Sequence, residues 1–210
     1  MSESVEARLH LALAGSNEQQ RRLVDLEWPR LVQLALKPLL TNLREAAVLV
    51  PIMKRPEGYS VLLTRRADTL RNHSGQVSFP GGRRDPEDLS LAACALREAQ
   101  EEVGLSPANV TVIGYLDDYP TTTRYRVTPV VALVEPPESF VFDAGEVAAI
   151  FEVPLPLLLD SRRYESKILS KQGLNVPFFE IRHEGHRIWG ATAGMLRDLC
   201  RKVGAVDAIQ

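Results

Sequence analysis

Residues 81–105, GGRRDPEDLSLAACALREAQEEVGL, set Glu98, Glu101 and Glu102 on a helix that follows directly behind a pair of glycines. At about 100° per residue these positions fall within one sector of the helix, so three carboxylates can converge on one point. Such crowding invites a hard cation, and carboxylate oxygens suit Mg²⁺ or Mn²⁺, which bridge protein carboxylates to substrate phosphates. A glutamate-rich helix face is ordinarily just solvated. Here the surroundings argue for more: Phe79-Pro80-Gly81-Gly82 predicts a tight turn before the helix, and Val103-Gly104-Leu105 a glycine stop after it. Together they form a recipe for holding a divalent metal against a phosphate.

The remaining chain is consistent with one enzyme domain. With 210 residues and 45% apolar content it can bury one core, or a core with an appendage. A formal net charge of −2 argues against broad nucleic-acid binding, although local arginines can still read phosphates on a small molecule. The N-terminus MSESVEARLHLALAG has neither a basic start nor a long apolar run, and no stretch reaches membrane-spanning length. These features predict a cytoplasmic protein with a small-molecule substrate and no membrane partner. Cys94 and Cys200 lack both disulfide-framework and zinc spacing, and read as small buried apolar side chains.

Hydrophobic spacing predicts two or three short helices over residues 4–40, one beginning at Pro29 and ending near Pro38. Strands are expected at 46–53, 59–64, 110–116, 127–134 and 147–153, with weaker candidates at 164–169 and 178–182 and a hairpin tip at 183–186. Helices are expected near 89–103 and 192–203. This alternation predicts a layered α/β architecture with a helical extension over residues 1–44 and the catalytic domain over 45–210. Leucine spacing alone leaves three uses open for the extension: a dimer contact, a cap over the substrate cleft, or a cover for the sheet.

Arg97-Glu98-Ala99-Gln100-Glu101-Glu102-Val103-Gly104-Leu105 resembles the C-terminal half of the Nudix hydrolase box. Counted from Gly82 the box is one residue longer than the general pattern, and Asp88 stands where a glutamate is usual. A second motif runs into it: Leu62-Leu63-Thr64-Arg65-Arg66-Ala67, then Leu70-Arg71-Asn72-His73-Ser74-Gly75-Gln76-Val77-Ser78-Phe79-Pro80. That motif, the lengthened box with Asp88, and Ile188-Trp189-Gly190-Ala191-Thr192-Ala193-Gly194 are similar to the coenzyme A pyrophosphatase branch of that family, over about residues 45–200.

The resemblance implies an α/β/α sandwich around a mixed β-sheet, and hydrolysis of the diphosphate of coenzyme A or its thioesters to 3′,5′-ADP and 4′-phosphopantetheine or its acyl form. Relatives are often homodimers. Carried onto this sequence, the resemblance makes Glu98 and Glu102 metal ligands, with Glu101 beside them and the Gly82 carbonyl as a further ligand, and Arg97 the residue that orients a carboxylate. Glu146, in the loop Asp143-Ala144-Gly145-Glu146, is the candidate general base, with Glu101 as its alternative. Arg66 and Arg71 match the branch signature and are candidate phosphate readers, joined by His73 and Gln76. Arg124 occupies a position where relatives often place glycine and is a further candidate cation. Tyr119 and Tyr125 are candidates for stacking on adenine, against the commoner role of packing. Two alternatives stand beside this reading: hydrolysis of another nucleoside diphosphate derivative such as ADP-ribose or NADH, and a catalytically silent nucleotide-binding module.

Overall fold

In the computed structural model, which describes residues 4–69, 74–171 and 174–207, the N-terminal leucines form two helices. Helix α1 (Val5–Leu13) is capped by the Ser4 hydroxyl, which accepts the Ala7 N–H, and α2 (Arg30–Leu36) starts directly behind Pro29. Pro38 does not terminate the helical path. It sits early in a following 3₁₀ turn (Lys37–Leu40), where its missing N–H costs nothing.

The main sheet is assembled from β1 (Arg44–Arg55), β2 (Gly58–Arg66), β3 (Val77–Ser78) and β4 (Gly81–Arg83), then, after α3 (Leu91–Val103), β5 (Val110–Tyr115), β6 (Tyr119–Pro120), β7 (Tyr125–Val134) and β8 (Val147–Pro154). A short α4 (Leu155–Leu158) follows, then a separate antiparallel sheet of β9 (Glu165–Lys171), β10 (Leu174–His183) and β11 (His186–Trp189), and the terminal helix α5 (Ala191–Asp207). The main path runs β3-β2-β1-β7-β5, with β4 on β1, β6 on β7 and β8 on β2. Among the described strands of this sheet only β1 and β7 pair in parallel, from Arg44↔Tyr125 to Met53↔Val134, which makes the sheet mixed.

Alternation along β1 divides the core into two layers. Ala46, Val50 and Ile52 face a cluster that includes Leu9 and Leu13 of α1 and Leu196 and Leu199 of α5. Ala47, Leu49 and Met53 face Leu91, Cys94, Ala95, Ala99 and Val103 of α3. The result is a mixed sheet sandwiched between helices. Leu9 and Leu13 are almost wholly buried, each burial contributing roughly 2 kcal/mol, so α1 is a cover for the sheet. Trp28, Val32 and Leu36 pack on Leu174 and Val176 of the small sheet.

The paired glycines are not a turn. They form β4, whose Gly81 and Gly82 register with Val48 and Ala47 of β1. A Cβ on Gly81, whose φ is 153°, would lie 2.4 Å from the Ala47 carbonyl oxygen, so this approach of two backbones requires glycine.

Candidate active site

Helix α3 is fixed at both ends. The Ser90 hydroxyl accepts the Ala93 N–H at 2.9 Å, and Glu18 Oε1 accepts the Leu91 N–H at 2.7 Å. At the far end Gly104 adopts φ 68° and donates to the Gln100 carbonyl, while Leu105 donates to Ala99. With the apolar stripe docked on the sheet, Glu98 and Glu102 come to lie beside β4.

Glu102 is 5% exposed; its Oε2 accepts the Gly81 N–H at 3.2 Å, and Arg66 Nη1 stands 3.7 Å from Oε1. Burial pushes its carboxyl up to about 7, against the opposing pull of Gly81 and Arg66 and with the help of charge on Glu146 and Glu98. Burial likewise raises Glu98, whose Oε1 meets Arg97 Nη1 at 3.0 Å. Glu98 lies directly over Gly82: a Cβ there would fall 2.5 Å from the carboxyl carbon. The two glycines thus have separate tasks, one admitting β1 and the other a carboxylate.

Glu146 reaches the same neighbourhood from another element. Its loop is anchored where Asp143 N–H donates to the Glu102 carbonyl at 3.1 Å and Ala67 N–H donates to the Glu146 carbonyl at 2.8 Å. The Glu146 side chain is exposed, and its charge raises both Glu98 and Glu102. Glu101 stands at the exposed side of this group. Its side chain is 61% exposed and is captured by Arg97 at 3.0 Å, the i,i+4 partner that competes for it. Arg97 Nη1 meets Glu98 and Glu101 alike at 3.0 Å, so Glu101 flanks the pair and its charge, like that of Glu146, raises Glu98.

Arg97 donates two parallel bonds to Asp88, Nε to Oδ1 and Nη2 to Oδ2, both at 3.0 Å, while its Nη1 reaches Glu98. The aspartate in place of the usual glutamate is 8% exposed and serves as the anchor for this guanidinium. Arg97 holds Asp88 down at about 2, from an ordinary value of 3.8. A lowered folded-state value means that the stabilisation is present above the unfolded value and is lost as pH falls through the folded one. Asp88→Asn should therefore cost about 2 kcal/mol at pH 7 in urea unfolding, and the gap from wild type should close between pH 4 and pH 2. A gap independent of pH would contradict the ion-pair account.

Arg66, the last residue of β2, is brought to Glu102, and its main chain pairs with Gln76 through Arg66 N–H to the Gln76 carbonyl at 2.9 Å. Arg71 and His73 lie outside the described residues. Arg124 is exposed in a turn with φ 66°, which explains why glycine suits its position, and its main chain bonds Thr121 and Arg44. Both tyrosines make packing contacts. The Arg44 guanidinium covers Tyr125 at 4.3 Å, and Tyr119 packs where a Cβ on Gly194 would meet its ring at 2.4 Å. The sequence reading missed Glu18, since no local pattern announces a helix cap supplied from 73 residues away.

Among the described residues no three His, Cys, Asp or Glu side chains already stand as a finished metal-binding group. The donor chemistry nevertheless fits a hard cation: Glu98 and Glu102 are carboxylates whose burial disfavours their charge, and Arg66 at 3.7 Å supplies little compensation to Glu102. Residues 43–168 match the NUDIX domain family. The chain belongs to the Nudix hydrolase family. It is 45% identical over 163 residues to a Cronobacter sakazakii protein described as "Uncharacterized Nudix hydrolase NudL", covering 78% of this chain and 84% of the relative. A Yersinia pestis protein of the same description is 46% identical over 160 residues, covering 76% and 80%. In fold, this Nudix chain resembles the crystal structure of the MutT protein from Methanosarcina mazei Go1, with TM-score 0.51 and 17% identity over 79% of this chain and 97% of that one. Nudix hydrolases generally use divalent metal ions. No described helix of this Nudix protein is long and apolar enough to cross a membrane.

Proposed function

We propose that this Nudix protein is a Mg²⁺- or Mn²⁺-dependent hydrolase of the diphosphate linkage of coenzyme A or its thioesters, releasing 3′,5′-ADP and 4′-phosphopantetheine or its acyl form. The observation that carries the reading is the meeting of its two motifs: Arg66, at the end of the 62–66 motif, stands 3.7 Å from Glu102 of the glutamate helix. A diphosphate brought to these carboxylates arrives beside a guanidinium able to bind it.

Bound Mg²⁺ or Mn²⁺ supplies charge neutralisation on the diphosphate oxygens and lowers the pKa of a bound water. Glu98 and Glu102 are the residues that would hold it, with the Gly82 carbonyl as an added oxygen. Arg97 keeps Glu98 in one orientation and Asp88 keeps Arg97 in place. Glu146 takes the proton of the attacking water; the water oxygen forms the new P–O bond, and the bridging oxygen leaves with the other phosphate. Glu146→Gln is expected to lower kcat about a hundredfold or more while leaving Mn²⁺ affinity nearly unchanged. Near-normal kcat in that variant would return the base role to Glu101.

Substrate identity is tested by measuring kcat/KM for coenzyme A, dephospho-coenzyme A and ADP-ribose with either metal, resolving the nucleotide products by chromatography. The reading predicts 3′,5′-ADP as product and a preference for coenzyme A. Equal or faster cleavage of ADP-ribose would retain the chemistry and reject the substrate, and no cleavage of any would favour a binding module.

A further inference from the structure

The segment between α1 and α2 lies as a strap against the main sheet. Ser16 Oγ accepts the Tyr115 N–H of β5 at 2.9 Å, and Arg21 Nη1 donates to Thr128 Oγ1 of β7 at 3.0 Å. Farther on, Asp118 N–H donates to the Arg22 carbonyl at 2.7 Å and Val24 N–H to the Asp118 carbonyl at 2.9 Å. From this strap two side chains reach the loop 84–90, which joins β4 to the glutamate helix. Glu18 Oε1 accepts the Leu91 N–H at 2.7 Å, at the far end of the loop. Arg21 Nη2 donates to Glu45 Oε1 at 2.9 Å, and Glu45 Oε2 accepts from Arg84 Nη1 at 2.8 Å, at the near end.

The loop itself has little packing to place it, because Asp88 alone among its residues is buried. Its inner bonds form a small turn: Asp88 N–H donates to the Asp85 carbonyl at 3.1 Å, and Asp85 N–H to Asp88 Oδ2 at 2.8 Å. Arg84 ties this turn to the strap, its Nη2 donating to the Asp88 carbonyl at 3.2 Å while its N–H donates to the Glu45 carbonyl at 3.1 Å. Asp88 then grips Arg97, and Arg97 Nη1 meets Glu98 at 3.0 Å. A continuous line of charge-assisted contacts thus runs from Arg21 through Glu45, Arg84, Asp88 and Arg97 to Glu98. Glu18 and Arg21 hold opposite ends of a loop whose one buried residue grips Arg97, so releasing either end frees that residue to move.

Resting on the metal site of the proposed function, we propose that Glu18 and Arg21 are positioning residues for the hydrolysis: the N-terminal strap clamps both ends of the loop 84–90 and thereby fixes Asp88, Arg97 and, through them, Glu98. The extension is then a part of the catalytic scaffold as well as a cover for the sheet. A carboxylate at the first amide of α3 also sits at the positive end of the helix dipole, where its charge is favoured. Neither side chain reaches the glutamate pair itself, so each acts by orientation alone, and outer partners of this kind fix the ligands that they hold in line.

The test follows the NMR signal of the Arg97 Nε–H, which lies 3.0 Å from Asp88 Oδ1, in the full chain and in Glu18→Ala/Arg21→Ala. Exchange of this proton with water should be about tenfold or more faster in the double variant, and kcat about tenfold or more lower with a much smaller change in KM. Glu18→Gln/Arg21→Lys, which keeps an acceptor for the Leu91 N–H and a cation for Glu45, should recover most of both. Without Arg21, Asp118 keeps Arg126 and Glu45 keeps Arg84, so the double variant should fold. Leu9→Ala, on the face of the sheet opposite α3, separates positioning from stability: it should lower the urea midpoint and leave the Arg97 signal and kcat at wild-type values. Unchanged Arg97 exchange in the double variant, or an equal change in Leu9→Ala, overturns the clamp. The signal is read without metal or substrate, so its persistence sinks the clamp alone, whereas a wild type that holds no Mn²⁺ sinks the metal reading and leaves the clamp on Arg97 standing.

Discussion

Glu98→Gln is expected to lower turnover about a thousandfold while the protein remains folded. The amide keeps the carboxylate's shape over Gly82 but removes the charge proposed to hold a cation. Because burial already disfavours the ionised form of Glu98, a neutral side chain there removes a desolvation cost, and the metal-free melting temperature should hold or rise. What should disappear is the increase in melting temperature on adding Mn²⁺, since a ligand stabilises the fold only as far as it binds it. Turnover within a few-fold of wild type would remove Glu98 from the metal site.

Gly82→Ala should cost about a hundredfold in turnover with much less effect on stability. Its new methyl would lie 2.5 Å from the Glu98 carboxyl carbon and 2.5–2.6 Å from both oxygens, closer than real contacts allow. The far end of a flexible side chain can move aside, so the fold survives, but the group that moves is the proposed metal ligand. Displacements of about 1 Å at a reacting centre are sufficient for losses of this size. Gly81→Ala makes the contrasting case, because there the clash is with the Ala47 carbonyl and the Val48 Cα of the central strand. That variant should lose stability first, read as a lower urea midpoint; equal behaviour of the two variants would contradict the division of labour between the glycines.

What was legible in the sequence follows from the range of the interactions concerned. The glutamate helix and its glycine stop are local, and α3 runs over Leu91–Val103 with Gly104 in the left-handed conformation. The longer strands of the main sheet, β1, β2, β5, β7 and β8, announced themselves by apolar runs, and both faces of β1 are buried, whereas the two-residue β3 and β6 carry no such signal. The paired glycines were misread as a turn because the strand they form is defined by its approach to β1, which no window of sequence contains. The exact position of the Glu101 carboxylate was out of reach for a different reason. Helical spacing gives the direction of a Cβ, whereas Arg97 decides where the carboxylate ends. Asp88 was visible as a departure from pattern, but its bidentate grip on Arg97 needed coordinates. Glu146 became a candidate from its place in a loop before a strand, and the bond from Asp143 N–H to the Glu102 carbonyl explains why that loop lies where it does.

The central claim is that Glu98 and Glu102 together hold the metal, and it is tested most directly by counting Mn²⁺. Electron paramagnetic resonance of free Mn²⁺ should show depletion on adding wild-type protein at pH 8, and almost none on adding Glu98→Gln/Glu102→Gln of matched melting behaviour. Equal depletion by wild type and the double variant would show that the metal is held elsewhere and contradict the site described above.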